Sequence, residues 1–288
     1  MDALAKAKEF ESKADRKLKG WGLFGNKYED TVELLQQAAN HYKVAKSWDK
    51  AANCFIRVAE MHVKLDNRYE AATSYVDAAK CYMKNKPQDA INALNTATNI
   101  FLEMGKLSIA AKHFKDVGEL YEKEEKWQEA MESYEKAADF YQGEEVTSSA
   151  NQCKLKVAQF ASQLELYPKA IEVYETVAKD SMGNNLLKYS VKGYLLSAGL
   201  CHLCSADHIA IQNAIERYED LDPTFSNTRE HKFLKDLAEA IEQEDVEKFT
   251  DVVKEFDSMT RLDGWKTTML LRAKNAMKAK IDEDDDLT

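Results

Sequence analysis

The chain of 288 residues holds only 10 glycines and three prolines, where an average soluble protein has roughly 12 per cent of the two together. β-Sandwiches and propellers lean on those residues for their hairpin turns, so such folds are excluded and long helices joined by short loops remain. Forty basic against 50 acidic side chains give a net charge of −10, which argues against nucleic acid as partner, because phosphate neutralisation drives that binding.

From the N-terminus, the first 20 residues alternate charge with Ala and Leu at helical spacing, without the apolar stretch of a secretory signal. No run approaches the ~20 apolar residues that span a membrane. Gly20-Trp21-Gly22-Leu23-Phe24-Gly25 follows. Its letters match the dinucleotide fingerprint, but a Lys-rich helix stands where the mechanism needs a strand, so the nucleotide reading fails. The expectation is a loop at 20–26 with three bulky apolar side chains, Trp21, Leu23 and Phe24. Such a loop either tucks into the fold or projects to meet an apolar surface. Burying all three is worth on the order of 5–8 kcal/mol, which suits reversible membrane contact helped by Arg16, Lys17, Lys19 and Lys27.

A repeat then sets the architecture. Ala51, Ala71, Ala90, Ala110, Ala130, Ala150 and Ala170 recur every 19 or 20 residues, followed four positions later by Phe55, Tyr75, Leu94, Phe114, Tyr134, Lys154 and Tyr174. Trp48, Leu107, Trp127 and Tyr167 stand three before. A small and a large side chain at i, i+4 share one helical face, where the small one admits the neighbouring helix and the large one fills the space beside it. One helix per twenty residues predicts antiparallel, TPR-like hairpins of about 40 residues, stacked because no hairpin buries its face alone. The expectation is an all-α, right-handed superhelical solenoid over 1–183, capped by a C-terminal helical bundle over 184–281, with an acidic flexible tail at 282–288.

Alternate helices of such a stack expose opposite surfaces. The positions two after each small residue sort into Thr73, Lys112, Gln152 and Lys192 on one side and Asn53, Asn92, Glu132 and Glu172 on the other. The first side trends basic, with Lys106 and Lys156 as further candidates, and so predicts an acidic partner unless these are scattered solvated charges.

Cys201-His202-Leu203-Cys204 has half the ligands of a zinc site, and no second pair exists to close it. Within an apolar helical run it reads as core. The five cysteines, odd in number and in apolar contexts, read as reduced cytosolic thiols. No nucleophile elbow, metalloprotease or phosphate-loop sequence occurs, so no enzyme, cofactor or metal is expected. At the end, Asp282-Glu283-Asp284-Asp285-Asp286 supply half the net charge ahead of Leu287. The run reads either as a solubilising tail or as a linear peptide in which charge steers and one leucine plugs a pocket. Glu239, Glu242, Glu244 and Asp245 could extend the same acidic end.

The greasy loop, the forty-residue hairpins and the acidic tail with its penultimate leucine resemble the alpha-soluble NSF attachment protein family. Ala71 to Ala78, Ile109 to His113, Gly143 to Asn151, Leu186 to Ser190 and Ser258 to Arg272 carry the match, which covers essentially the whole chain. The resemblance implies a cytoplasmic, peripherally membrane-associated adaptor and not an enzyme. It would bind assembled SNARE coiled-coil complexes in several copies and recruit and stimulate the hexameric ATPase NSF, which takes those complexes apart in vesicle fusion and intracellular transport. SNARE binding would fall on Lys106, Lys112, Lys156, Lys192 and Arg229, with Gln152 standing where the family has a lysine. NSF binding would fall on Glu239, Glu242, Asp284, Asp285, Asp286 and Leu287, and membrane contact on Trp21, Leu23 and Phe24. The competing expectation is a generic TPR-like scaffold that clasps an extended peptide in its groove.

Overall fold

A computed structural model describes residues 2–20, 24–205 and 207–286. Among them run fourteen α-helices and no strand: α1 (Ala3–Lys19), α2 (Phe24–Val44), α3 (Trp48–Lys64), α4 (Arg68–Tyr82), α5 (Pro87–Glu103), α6 (Leu107–Lys123), α7 (Trp127–Gly143), α8 (Thr147–Gln163), α9 (Tyr167–Met182), α10 (Val191–Leu203), α11 (His208–Leu221), α12 (Arg229–Glu242), α13 (Val246–Met259) and α14 (Gly264–Asp286). Short 3₁₀ turns at Lys188–Ser190 and Phe225–Asn227 flank α10 and α12.

The twenty-residue spacing translates directly into helices α3 to α9. All seven recurring alanines are fully buried. The residue three before each of them, namely Trp48, Arg68, Pro87, Leu107, Trp127, Thr147 and Tyr167, is the first residue of its helix. All eight positions two after the small residue are exposed, from Asn53 and Thr73 to Glu172 and Lys192. A further small residue eight after each alanine is buried as well: Ala59, Ala79, Thr98, Gly118, Ala138, Ala158 and Ala178. Gly118 shows why. A Cβ there would stand 2.9 Å from the ring of Tyr134 on the next helix, so α6 and α7 approach as closely as they do because the side chain is absent.

The turns explain the scarcity of glycine. In each of seven of them one residue takes the left-handed conformation: Lys46, Asp66, Gly105, Glu125, Glu145, Glu165 and Glu244. The amide after it then donates to the carbonyl five residues back, as from Ser47 to Tyr42 (2.9 Å), Lys126 to Tyr121 (3.0 Å) and Asp245 to Ala240 (2.9 Å). These are the closing bonds of Schellman caps. Only one cap uses glycine. The turn before α5 has no such residue; Pro87 opens the helix, where its fixed φ is already helical. That turn is also the one 19-residue step of the repeat.

Two compact units make up the chain, residues 1–150 and 151–288. The division falls inside α8 and not at 183/184, where the repeat loses register, because α9 still carries the repeat pattern yet packs extensively on α10. Within the first unit each helix from α1 to α7 packs on the next. Within the second, α10 is buried on nearly every side, with Leu195, Leu196, Leu200, Cys201 and Leu203 all enclosed, and α9, α11, α12 and α14 pack around it. That explains its lack of a polar face. Burial pushes the Cys204 thiol up to about 11 and that of Cys201 further, and the Cys204 thiol reaches the carbonyls of Leu200 (3.3 Å) and Met269 (3.4 Å). Both are core thiols. Arg272 of α14 donates to the carbonyls of Ser162 (2.7 Å) and Gln163 (3.0 Å), and so caps the end of α8, while the Trp265 indole donates to Ser162 Oγ (2.8 Å).

Two expectations differ from what is seen. Helix α2 already begins at Phe24, inside the loop expected over 20–26. Helix α14 runs on through Asp286, so the acids from Asp282 to Asp286 lie on helical backbone and not in a free tail. Extending an existing helix costs little per residue, and here that outweighs the repulsion among the acids.

Candidate partner-binding surfaces

The basic candidates occupy different local settings. In the first unit, Lys106 is the cap residue of α6 and Lys112 lies one and two-thirds turns further on; both are exposed, and neither has an ion-pair partner among the described residues. In the second unit, Lys156 on α8 is half-buried, its ammonium 5.7 Å from the centre of the Phe160 ring. Gln152, one turn earlier on the same helix, is exposed. Lys192 Nζ on α10 is 3.0 Å from Glu230 Oε1, and Glu230 follows Arg229 in the first turn of α12. Arg229 itself is exposed and lines a pocket with Phe233 and Asp236 of its own helix and Glu255 and Phe256 of α13.

Two exposed apolar residues precede α10. Leu186 and Tyr189 are 85 and 75 per cent exposed, in the segment leading into Lys192. Large apolar groups so exposed next to bases are the mark of a surface that meets a partner. The signal was available: a doublet Leu186-Leu187 and a tyrosine directly after Gly183-Asn184-Asn185, where the helical register stops.

The acidic candidates lie along α12. Glu239 and Glu242, with Glu216 and Glu219 of α11, line a groove of about 370 Å³ that also holds Gln212 and Lys235. Lys248 hydrogen-bonds Glu239 at 2.9 Å and holds its carboxyl below the ordinary range, while Gln212 donates to Glu242 at 3.2 Å. Both acids stand in the last turn of α12, where the helix dipole disfavours negative charge and a cationic partner would relieve it. Glu244 and Asp245, both exposed, also have structural roles: Glu244 is the left-handed residue of the turn, and Asp245 accepts from the Lys248 amide (2.8 Å) as the cap of α13. Asp284, Asp285 and Asp286 end α14. Leu287, Trp21 and Leu23 lie outside the described residues, and Phe24 is the first residue of α2. No described helix is long and apolar enough to cross a membrane.

The family model of the soluble NSF attachment proteins matches residues 5–278. The chain belongs to that family. An alpha-soluble NSF attachment protein of Vitis vinifera is 54 per cent identical over 287 residues, covering 100 per cent of this chain and 99 per cent of its own. The one from Mus musculus is 45 per cent identical, with 98 and 97 per cent covered. A probable vesicular-fusion protein sec17 homolog of Schizosaccharomyces pombe is 39 per cent identical, with 99 and 100 per cent covered.

Proposed function

We propose that this soluble NSF attachment protein is an adaptor, not a catalyst, that grips assembled SNARE complexes and presents them to the NSF ATPase for disassembly in vesicle fusion. Family membership over essentially the whole chain carries the reading. The residues supply the means. Lys106 and Lys112 in the first unit and Lys156, Lys192 and Arg229 in the second offer cations to an acidic coiled coil, and Leu186 and Tyr189 offer apolar contact beside Lys192. Charges of this kind govern encounter and register, and the apolar pair slows release. Lys192 exchanges its Glu230 partner for an acid of the coiled coil, so binding swaps one ion pair for another. At the other end of α12 from Arg229, Glu239 and Glu242, with the acids closing α14 and Leu287 after them, attract a basic face of NSF. The protein acts in the cytoplasm, with several copies on each SNARE complex, and touches the membrane through Trp21, Leu23 and Phe24.

The test is capture of a reconstituted SNARE complex by wild type and by the double variant Lys112→Glu, Lys192→Glu. The variant is expected to lose at least tenfold in affinity with its helical circular dichroism unchanged. Equal capture by both would refute the basic grip.

A further inference from the structure

The first unit has more to offer a membrane than the stretch around Phe24. Lys17 at the close of α1 pairs with Asp30 in α2 (2.5 Å), and Lys64, the last residue of α3, holds its ammonium 5.5 Å from the ring of Tyr28 in the second turn of α2. The end of α3 is thereby brought beside the start of α2, and the turn that follows leads at once into Arg68 and Tyr69 of α4. At this end of the unit Val63 is 55 per cent and Tyr69 46 per cent exposed. Lys19, Lys27 and Lys64 have no ion-pair partner among the described residues, while Arg68 is shared by Asp66 (3.8 Å) and Glu103 (3.5 Å).

We propose that Val63, Lys64 and Tyr69, with Lys19 and Lys27, form a second lipid-contacting patch that lies against an anionic bilayer. The inference rests on the reading that residues 20–26 meet a membrane, since the patch shares the end of the unit where α1 closes and α2 opens. Its chemistry fits that occupant. A valine closing α3 and a tyrosine opening α4, its ring edge-on to Phe101, flank one short turn and reach the headgroup boundary, where tyrosine is favoured, and each nearby base adds attraction to an anionic surface. The patch also gives the contact a plane, because anchoring on one apolar stretch alone leaves the chain free to pivot.

The experiment is flotation of the full chain with vesicles of phosphatidylcholine, plain or carrying about 30 per cent phosphatidylserine. The pair Val63→Ser, Tyr69→Ser is expected to weaken binding at least threefold on both vesicles. Lys64→Gln is expected to weaken it about fivefold, the effect of one base, on the anionic vesicles alone. The control Val44→Ser, Met83→Ser, which removes exposed apolar groups from the opposite end of the helices, is expected to bind as wild type. If Trp21→Ser, Leu23→Ser, Phe24→Ser abolishes flotation while both patch variants float as wild type, the patch is refuted and the membrane reading stands. If that triple variant floats as wild type, the membrane reading itself falls. A control as impaired as the patch variants would also overturn the proposal.

Discussion

Lys192 and Lys112 occupy equivalent places in the repeat, two after a small-residue position, yet their surroundings differ. Lys112 faces solvent without a partner among the described residues, whereas Lys192 holds Glu230. The sequence register gives both positions as exposed; it cannot give the ion pair, because Glu230 arrives from α12, 38 residues further along the chain. A half-buried histidine offers a sharper test at this scale. His62 on α3 has a buried Nδ1 without a hydrogen-bond partner, and burial pushes its pKa down against a smaller opposing pull from Glu70. The folded chain thus takes up this proton at lower pH than the unfolded chain, whose histidine titrates near ~6.5. Stability from this group is complete above that pH and is lost as the pH falls below it. The urea midpoint is expected to drop between pH 7.5 and 5.5, and His62→Gln should shrink that drop. An identical drop in both proteins would assign it elsewhere.

At the level of helices and turns, the alanine register gave one helix per twenty residues, and α3 to α9 keep that phase, each starting three residues before its buried alanine. The turns were opaque for a physical reason. Glu and Lys carry no turn signal of their own, yet they fill five of the seven left-handed caps among the described residues, with Asp66 and Gly105 in the other two. A non-glycine residue there costs about 1–2 kcal/mol, and the extra unfolded-state freedom of glycine returns about 0.5–1. Glu125→Gly, at an exposed position, is therefore expected to raise stability by about 0.5–1 kcal/mol, and Glu125→Val to lower it. Urea midpoints that move the other way would show that the turn is unstrained. The same turn chemistry recurs between α12 and α13, within the stretch that had read as irregular. It also gives Glu244 and Asp245, both exposed, a part in the turn itself. At the C-terminus the opposite happened: composition suggested a free tail, but α14 carries its own regularity past Ile281 to Asp286.

For the molecule as a whole, fold class and family were legible because a spacing kept for seven helices leaves one architecture, and because the matching segments are spread along the entire chain. The second unit was less legible. Its central helix α10 is apolar all round, so no periodicity reports which neighbour it faces, and the apolar Leu186 and Tyr189 stand in a segment without helical pattern. Under the proposed function one chain does two jobs, with bases holding an acidic coiled coil and acids at the end of α12 and in the last turns of α14 engaging a motor. The most direct measurement is the rate at which NSF with ATP takes apart a reconstituted SNARE complex in the presence of this protein. Wild type is predicted to support disassembly. Lys112→Glu, Lys192→Glu should abolish it by losing the SNARE complex, and Glu239→Lys, Glu242→Lys should abolish it while still capturing that complex. Disassembly at the wild-type rate by either variant, or at the same rate without the protein, would contradict the account.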